Sequence, residues 1–192
     1  MGYHKAGFEV VGVDIKPQPF YPFEFIQADA FEVFSVMGGK FDLVHASPPC
    51  QAYSWGTRKG REDKWPMLIS ELREAFIDTP YVIENIENAR RDMVDPIRLC
   101  GTQFNLRLLK HRMFESNLPL IEPVHNKHTG RVNRGDYVTV AGHGGNSTAG
   151  NFTIRSWQEA MGIDWVDKYP PLAEAIPPAY TEYIGRQLIG VI

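Results

Sequence analysis

Apolar positions along the chain fall into short runs punctuated by turn residues, with helical spacing between them. Phe8–Asp14 (FEVVGVD) is a β-branched run that ends in an acid and predicts a strand. Phe25–Gln27 predicts a second, shorter strand, and Asp29 stands at a helix start before Ala30–Val36. Gly38-Gly39 breaks that helix, and Phe41–Ala46 (FDLVHA) predicts a buried strand. Ser47-Pro48-Pro49 stops regular structure, because two prolines remove donors and fix φ. Residues 51–65 are polar and predict a loop; Pro66–Phe76 has helical spacing with proline in the first turn. Tyr81–Glu84 (YVIE) predicts another strand ending in an acid. Further on, Leu106–Phe114 reads as extended and Tyr137–Ala141 as strand-like, before the glycine-rich Gly142–Gly145. Ser156–Met161 predicts a helix with Ser156 as cap and Glu159 three positions on, and Pro177-Pro178 opens a last helix over Ala179–Leu188.

This alternation predicts an α/β domain with a mainly parallel sheet, whose chemistry lies beyond the carboxyl ends of the strands. Asp14, Pro48–Cys50 and Glu84 all fall at strand ends. At 192 residues, 43% hydrophobic and 22% charged, the chain has material for one core and is not mainly disordered. No apolar run reaches the roughly 18–20 residues of a membrane span, and no basic-then-apolar leader follows Met1. The two cysteines, Cys50 and Cys100, are too few for a disulfide framework and lack metal-ligand spacing, so a reducing, cytoplasmic setting is expected. The net charge of −3 hides a basic middle: residues 105–135 carry six basic and two acidic side chains, net +4. That is compatible with a polyanionic partner and equally with a solvated face.

Ser47-Pro48-Pro49-Cys50-Gln51 presents a thiol just beyond a buried strand, where a covalent catalyst needs it; a lone cysteine is otherwise most often a buried structural residue. Glu84-Asn85-Ile86 follows the next hydrophobic strand. A carboxyl there can hold a proton near neutrality, and Asn85 can hydrogen-bond backbone and fix the Pro-Cys turn. Together they pair a nucleophile with a general acid on neighbouring strand ends.

In these motifs the chain resembles the DNA (cytosine-5) methyltransferase family, most closely its compact phage-type members, over nearly its whole length. Ser47–Ser54 (SPPCQAYS) resembles the family's nucleophile motif and Glu84-Asn85-Ile86 its Glu-Asn-Val motif. Leu109–Phe114 (LKHRMF) resembles its Gln-x-Arg-x-Arg segment, with Arg112 at the second arginine and Lys110 in place of the first. Ile154–Ile163 and Ile176–Gly185 resemble the last two motifs. The resemblance implies a Rossmann-like fold dependent on S-adenosylmethionine, with a catalytic domain over residues 1–114 and 153–192 and a reduced target-recognition segment over 115–152. It implies that Cys50 attacks C6 of a flipped-out cytosine while Glu84 supports protonation of N3 and Arg112 contacts O2. Asp14, Ile15, Asp29, Ala30, Pro49, Pro178 and Ala179 match cofactor-binding positions, although Asp14 also suits a turn acid and Asp29 a helix cap. Gln51 and Ser54 match positions near the flipped nucleotide in double-stranded DNA; Arg58, Lys59, Arg61 and Lys64 suit phosphates on a closing loop, and His143 suits groove contact. No metal is implied.

Two departures follow. The family opens with a strand and a Phe-x-Gly-x-Gly turn, whereas Met1-Gly2-Tyr3-His4 resembles the helix after that turn. The missing strand belongs between Val10–Val13 and Phe41–Ala46, supplied by a preceding segment or a second polypeptide. The insert before Phe152 is also far shorter than a full recognition domain. Alternatives are therefore an RNA cytosine-5 methyltransferase, or a catalytically impaired nucleic-acid-binding remnant.

Overall fold

The structure is a computed structural model that describes residues 1–54, 65–142 and 152–192. It comprises two packed units, one of residues 28–99 and 111–122, the other of residues 1–27, 100–110 and 123–191.

The first unit is built on a four-stranded sheet. Its strands are β3 (Val44–Ala46), β4 (Tyr81–Asn85), β5 (Ile97–Leu99) and β6 (Arg112–Ser116), in the order β3-β4-β6-β5. β3 and β4 run parallel, as the strand–helix alternation predicts, while β6 lies antiparallel to both β4 and β5. Every residue of β4 is buried, which explains its nearly unbroken apolar sequence. Helix α3 (Ile69–Ala75) contributes Ile69 and Leu72 to a core with Tyr53, Phe76, Ile83 and Met113. Helix α2 (Ala30–Met37) is capped by Asp29 and gives way to a 3₁₀ turn at Gly38–Lys40, where the glycine pair predicts a break.

In the second unit, β1 (Val11–Asp14) and β2 (Glu24–Gln27) form a parallel pair. Helix α1 (Gly2–Ala6) packs on α6 (Pro178–Leu188) through glycines. A Cβ at Gly185 would stand 2.7 Å from that of Ala6, and one at Gly2 would collide with the Pro178 carbonyl. A separate core gathers Leu108, Val138 and Val140 with Trp157 and Met161 of α4 (Ile154–Met161) and Leu172 of α5 (Tyr169–Glu174).

The elements differ from the sequence reading in places. Helix α4 is capped by Thr153, whose Oγ1 accepts from the Ser156 amide, so Ser156 lies inside the helix it was expected to cap. Residues 137–141 make only an isolated bridge, Leu108 to Val138, so the apolar run there packs into the core without extending a ladder. Within the expected extended segment, the regular strand begins at Arg112.

Candidate active site

Ser47-Pro48-Pro49 carries the chain off the end of β3. Pro49, at φ −49° and ψ 115°, keeps it extended until the 3₁₀ turn Cys50–Tyr53. Tyr53 pins that turn from below: its ring is 1% exposed in the core, and its hydroxyl accepts from the Ile69 amide at 3.3 Å. Burial pushes the Tyr53 hydroxyl pKa up, so it stays protonated. Cys50, at the other end of the same turn, is exposed. One face of the turn is thus spent on packing and the other presents the thiol.

Strand register places the remaining groups. Ala46 pairs with Ile83, so continuing the parallel ladder sets Ser47 beside Glu84 and Pro48 beside Asn85. Accordingly, Asn85 Nδ2 donates to the Pro48 carbonyl at 3.0 Å, while its Oδ1 accepts from the Ile86 amide at 2.9 Å. Asn85 is 1% exposed, so this pair of bonds ties the Pro-Pro-Cys turn to β4 from within the core. Across β4, Glu84 faces Phe114, which puts Arg112, two residues earlier on β6, on the same face and diagonal to Glu84. An arginine spans that diagonal, and Arg112 Nε lies 3.0 Å from Glu84 Oε1. Both side chains are largely buried, at 19% and 7% exposure, so the pair is weakly screened. Arg112 Nη1 also donates to its neighbour's carbonyl, at His111, which helps fix the guanidinium. Nucleophile turn, carboxylate and cation therefore come from β3, β4 and β6 of one unit.

His45, on β3 just before the turn, is held neutral: burial lowers its pKa from 6.5 to about 4, and its Nε2 lies 3.1 Å from Ser47 Oγ. Between these values the unfolded chain binds a proton that the folded one refuses, so stability rises with pH. It is fully present above 6.5 and is lost as pH falls towards 4, at no more than about 1.4 kcal/mol per pH unit. His45→Phe is expected to flatten that part of the curve in urea unfolding followed across this range. An unchanged slope would show that the imidazole is charged or solvated in the fold.

Three solved structures share this architecture. A prophage-encoded Escherichia coli protein described as a DNA modification methyltransferase is 14% identical, with a TM-score of 0.57 over 98% of this chain and 94% of its own. The S. pombe Dnmt2 methyltransferase is 15% identical, with a TM-score of 0.58 over 99% and 96%. The Entamoeba histolytica methyltransferase EhMeth is 10% identical, with a TM-score of 0.61 over 100% and 95%. The chain has a Rossmann-like methyltransferase fold. No family model and no curated protein matches it by sequence.

Within this methyltransferase fold, Asp14 ends β1 and accepts from the Lys16 amide at 2.8 Å and from Gln18 Nε2 at 2.9 Å. A carboxylate has about four acceptor positions, so capacity remains for a ribose diol. Ile15 beside it is 64% exposed, an apolar surface open to a purine ring. These residues fit the nucleoside part of S-adenosylmethionine. Pro178 and Ala179 open α6 in the same unit. Asp29 caps α2, accepting from the amides of Phe31 and Glu32, with Ala30 the first helical residue, and Pro49 precedes the Cys50 turn. Gln51 lies within that turn, where its carbonyl accepts from the Ser54 amide. Arg58, Lys59, Arg61, Lys64 and His143 lie outside the described residues.

Lys110, which the resemblance puts in place of the first arginine beside the catalytic groups, lies in the second unit. It is 4% exposed, and its Nζ donates to the carbonyls of Ala173 at 2.5 Å and Val140 at 3.4 Å. Its own carbonyl accepts from Tyr180 Oη at 2.5 Å. Tyr53 holds the Cys50 turn from the core, and nothing in its local sequence marked it for that.

Proposed function

We propose that this protein transfers a methyl group from S-adenosylmethionine to C5 of a cytosine in DNA through a covalent adduct on Cys50. The observation that carries the reading is the exposed Cys50 on a turn tied to β4 by Asn85, with the Glu84–Arg112 ion pair on the adjoining strands. The description of one structural neighbour as a DNA modification methyltransferase favours DNA as the substrate. When bound, S-adenosylmethionine supplies an electrophilic methyl carbon.

The chain's own groups do the rest. The base has to leave the duplex before a thiolate can reach C6. Cys50 then forms an S–C6 bond, and the electrons of the C5–C6 double bond move into the ring as N3 gains a proton. Glu84 accepts from the exocyclic amine and shares the proton at N3. Arg112 holds the Glu84 carboxylate in place and faces O2. C5 becomes a carbon nucleophile and takes the methyl group as the methyl–sulfur bond breaks and its electron pair stays on a neutral thioether sulfur. Loss of the C5 proton returns its electron pair to the ring and expels the Cys50 thiolate, which restores the enzyme. Asp14 and Ile15 hold the nucleoside end of the donor, and the exposed Arg107, Lys127, Arg131 and Arg134 suit the DNA backbone.

The test is a trap. Fluorine at C5 cannot leave as a proton, so the adduct persists. The chain, with S-adenosylmethionine and a random-sequence duplex bearing 5-fluorocytosine, is expected to give a denaturation-resistant protein–DNA band. A band with RNA alone would move the substrate to RNA, and none with either would leave a nucleic-acid-binding remnant.

A further inference from the structure

We propose that Cys100, His125 and His128 form a zinc-binding site that is separate from the catalytic chemistry and staples the segment after residue 122. All three lie in the second unit, and their ligand atoms are within 4.8 Å of one another. The Cys100 sulfur is 3.7 Å from His128 Nε2. Tetrahedral zinc with bonds of about 2.3 Å to sulfur and 2.0–2.1 Å to nitrogen sets sulfur and nitrogen about 3.6 Å apart. The spacing thus matches one edge of a zinc tetrahedron without movement. A thiolate and two imidazoles are borderline-soft donors, which suit zinc better than magnesium or calcium.

Local structure brings the donors together across 25 residues of sequence. Cys100 is fully buried at the start of the 3₁₀ turn Gly101–Phe104. Gln103 of that turn accepts from the Cys100 amide at 2.6 Å, and its Nε2 donates to the Pro123 carbonyl at 2.7 Å. One side chain therefore ties the cysteine's own turn to the strand of chain that carries the histidines. The His125 and His128 rings meet edge to face with centroids 4.8 Å apart, and Tyr137 packs edge-on against His128 at 5.7 Å. Residues 119–129 have no helix or strand of their own, so a metal clip would supply order that backbone ladders do not. Cysteine spacing alone conceals the site; the sequence signal is His125-x-x-His128, far from either cysteine.

The full chain, purified without chelator and then dialysed against zinc chloride, is expected to hold one zinc per molecule by elemental analysis. Cys100→Ser and His128→Ala are each expected to lose it, while Cys50→Ser retains it. Cobalt in place of zinc gives sulfur-to-metal charge-transfer absorption that Cys100→Ser lacks. Gln103→Ala, which leaves the donors intact, is expected to weaken zinc binding by roughly 10–100-fold. If a substitution prevents folding, competition of the unaltered chain with a colorimetric chelator still reads the affinity, and chelation is expected to lower its melting temperature. No stoichiometric metal in the unaltered chain, or full retention in Cys100→Ser, overturns the proposal.

Discussion

Cys50→Ser is expected to abolish methyl transfer and the 5-fluorocytosine adduct, while leaving the fold and duplex binding intact. The thiol sits on the exposed face of a turn that Tyr53 and Asn85 hold from the core, so an isosteric hydroxyl removes no packing. What it removes is a soft sulfur nucleophile, and a serine hydroxyl is a far weaker one. An adduct that survives the substitution would refute the role of Cys50. Glu84→Gln separates chemistry from binding. The amide fills the same space and still accepts from an exocyclic amine, but it cannot share a proton with N3 as a carboxyl does. A loss of roughly 10²–10⁴-fold is expected in kcat and kcat/KM alike, with DNA affinity nearly unchanged. An equal loss of DNA affinity would assign Glu84 a structural role, as the partner that keeps the largely buried Arg112 compensated.

The places of Cys50, Glu84 and Asn85 at the ends of strands were legible in the sequence because they are set by local rules. Strands as short as the half-buried β3 and the buried β4 show as short runs between turn residues, and the residues that follow such a run stand at the sheet's carboxyl end. Cys50 and Glu84 follow from that, as does the Asn85 tie to the Pro48 carbonyl. Other features depend on partners far along the chain. Lys110 reads as a cation available for a site, yet its ammonium binds a carbonyl 63 residues away at Ala173. β5 is three residues long, too short to show a period, and α5 is only six residues long, too short to show helical spacing. Thr153 and Ser156 are both capping types three residues apart, and only hydrogen-bond direction shows that Ser156 donates where Thr153 accepts. Cys100, His125 and His128 do not read as a group in the sequence, because 25 residues separate the cysteine from the first histidine and only the fold sets them side by side.

Glu115 is expected to be the most destabilising single position in the unit that holds Cys50 and Glu84. It is 1% exposed on β6, and all its partners are spaced too far along the chain to be visible in local pattern. Oε1 accepts from Arg73 Nε at 2.6 Å and from Tyr81 Oη at 3.0 Å; Oε2 accepts from Arg73 Nη2 at 2.8 Å and from the Val94 amide at 2.7 Å. Four charge-assisted bonds thus join α3, β4, β6 and the segment before β5 on one carboxylate. Burial and the bond to Glu115 push the Tyr81 hydroxyl pKa up to about 12, so it remains a donor at any physiological pH. Glu115→Ala strands the Arg73 guanidinium, 27% exposed, together with a tyrosine hydroxyl and a backbone amide. Removing one partner of a buried pair costs about 3–5 kcal/mol, a large share of the 5–15 kcal/mol that a domain has. Glu115→Gln keeps an acceptor oxygen and is expected to cost less. Replacing both charges, as in Arg73→Met with Glu115→Leu, leaves no stranded ion and is expected to recover part of the loss. Urea unfolding of the four proteins decides it: a Glu115→Ala cost below about 1 kcal/mol, the scale of an exposed pair, would show that solvent reaches the carboxylate and that the network does not hold these strands together.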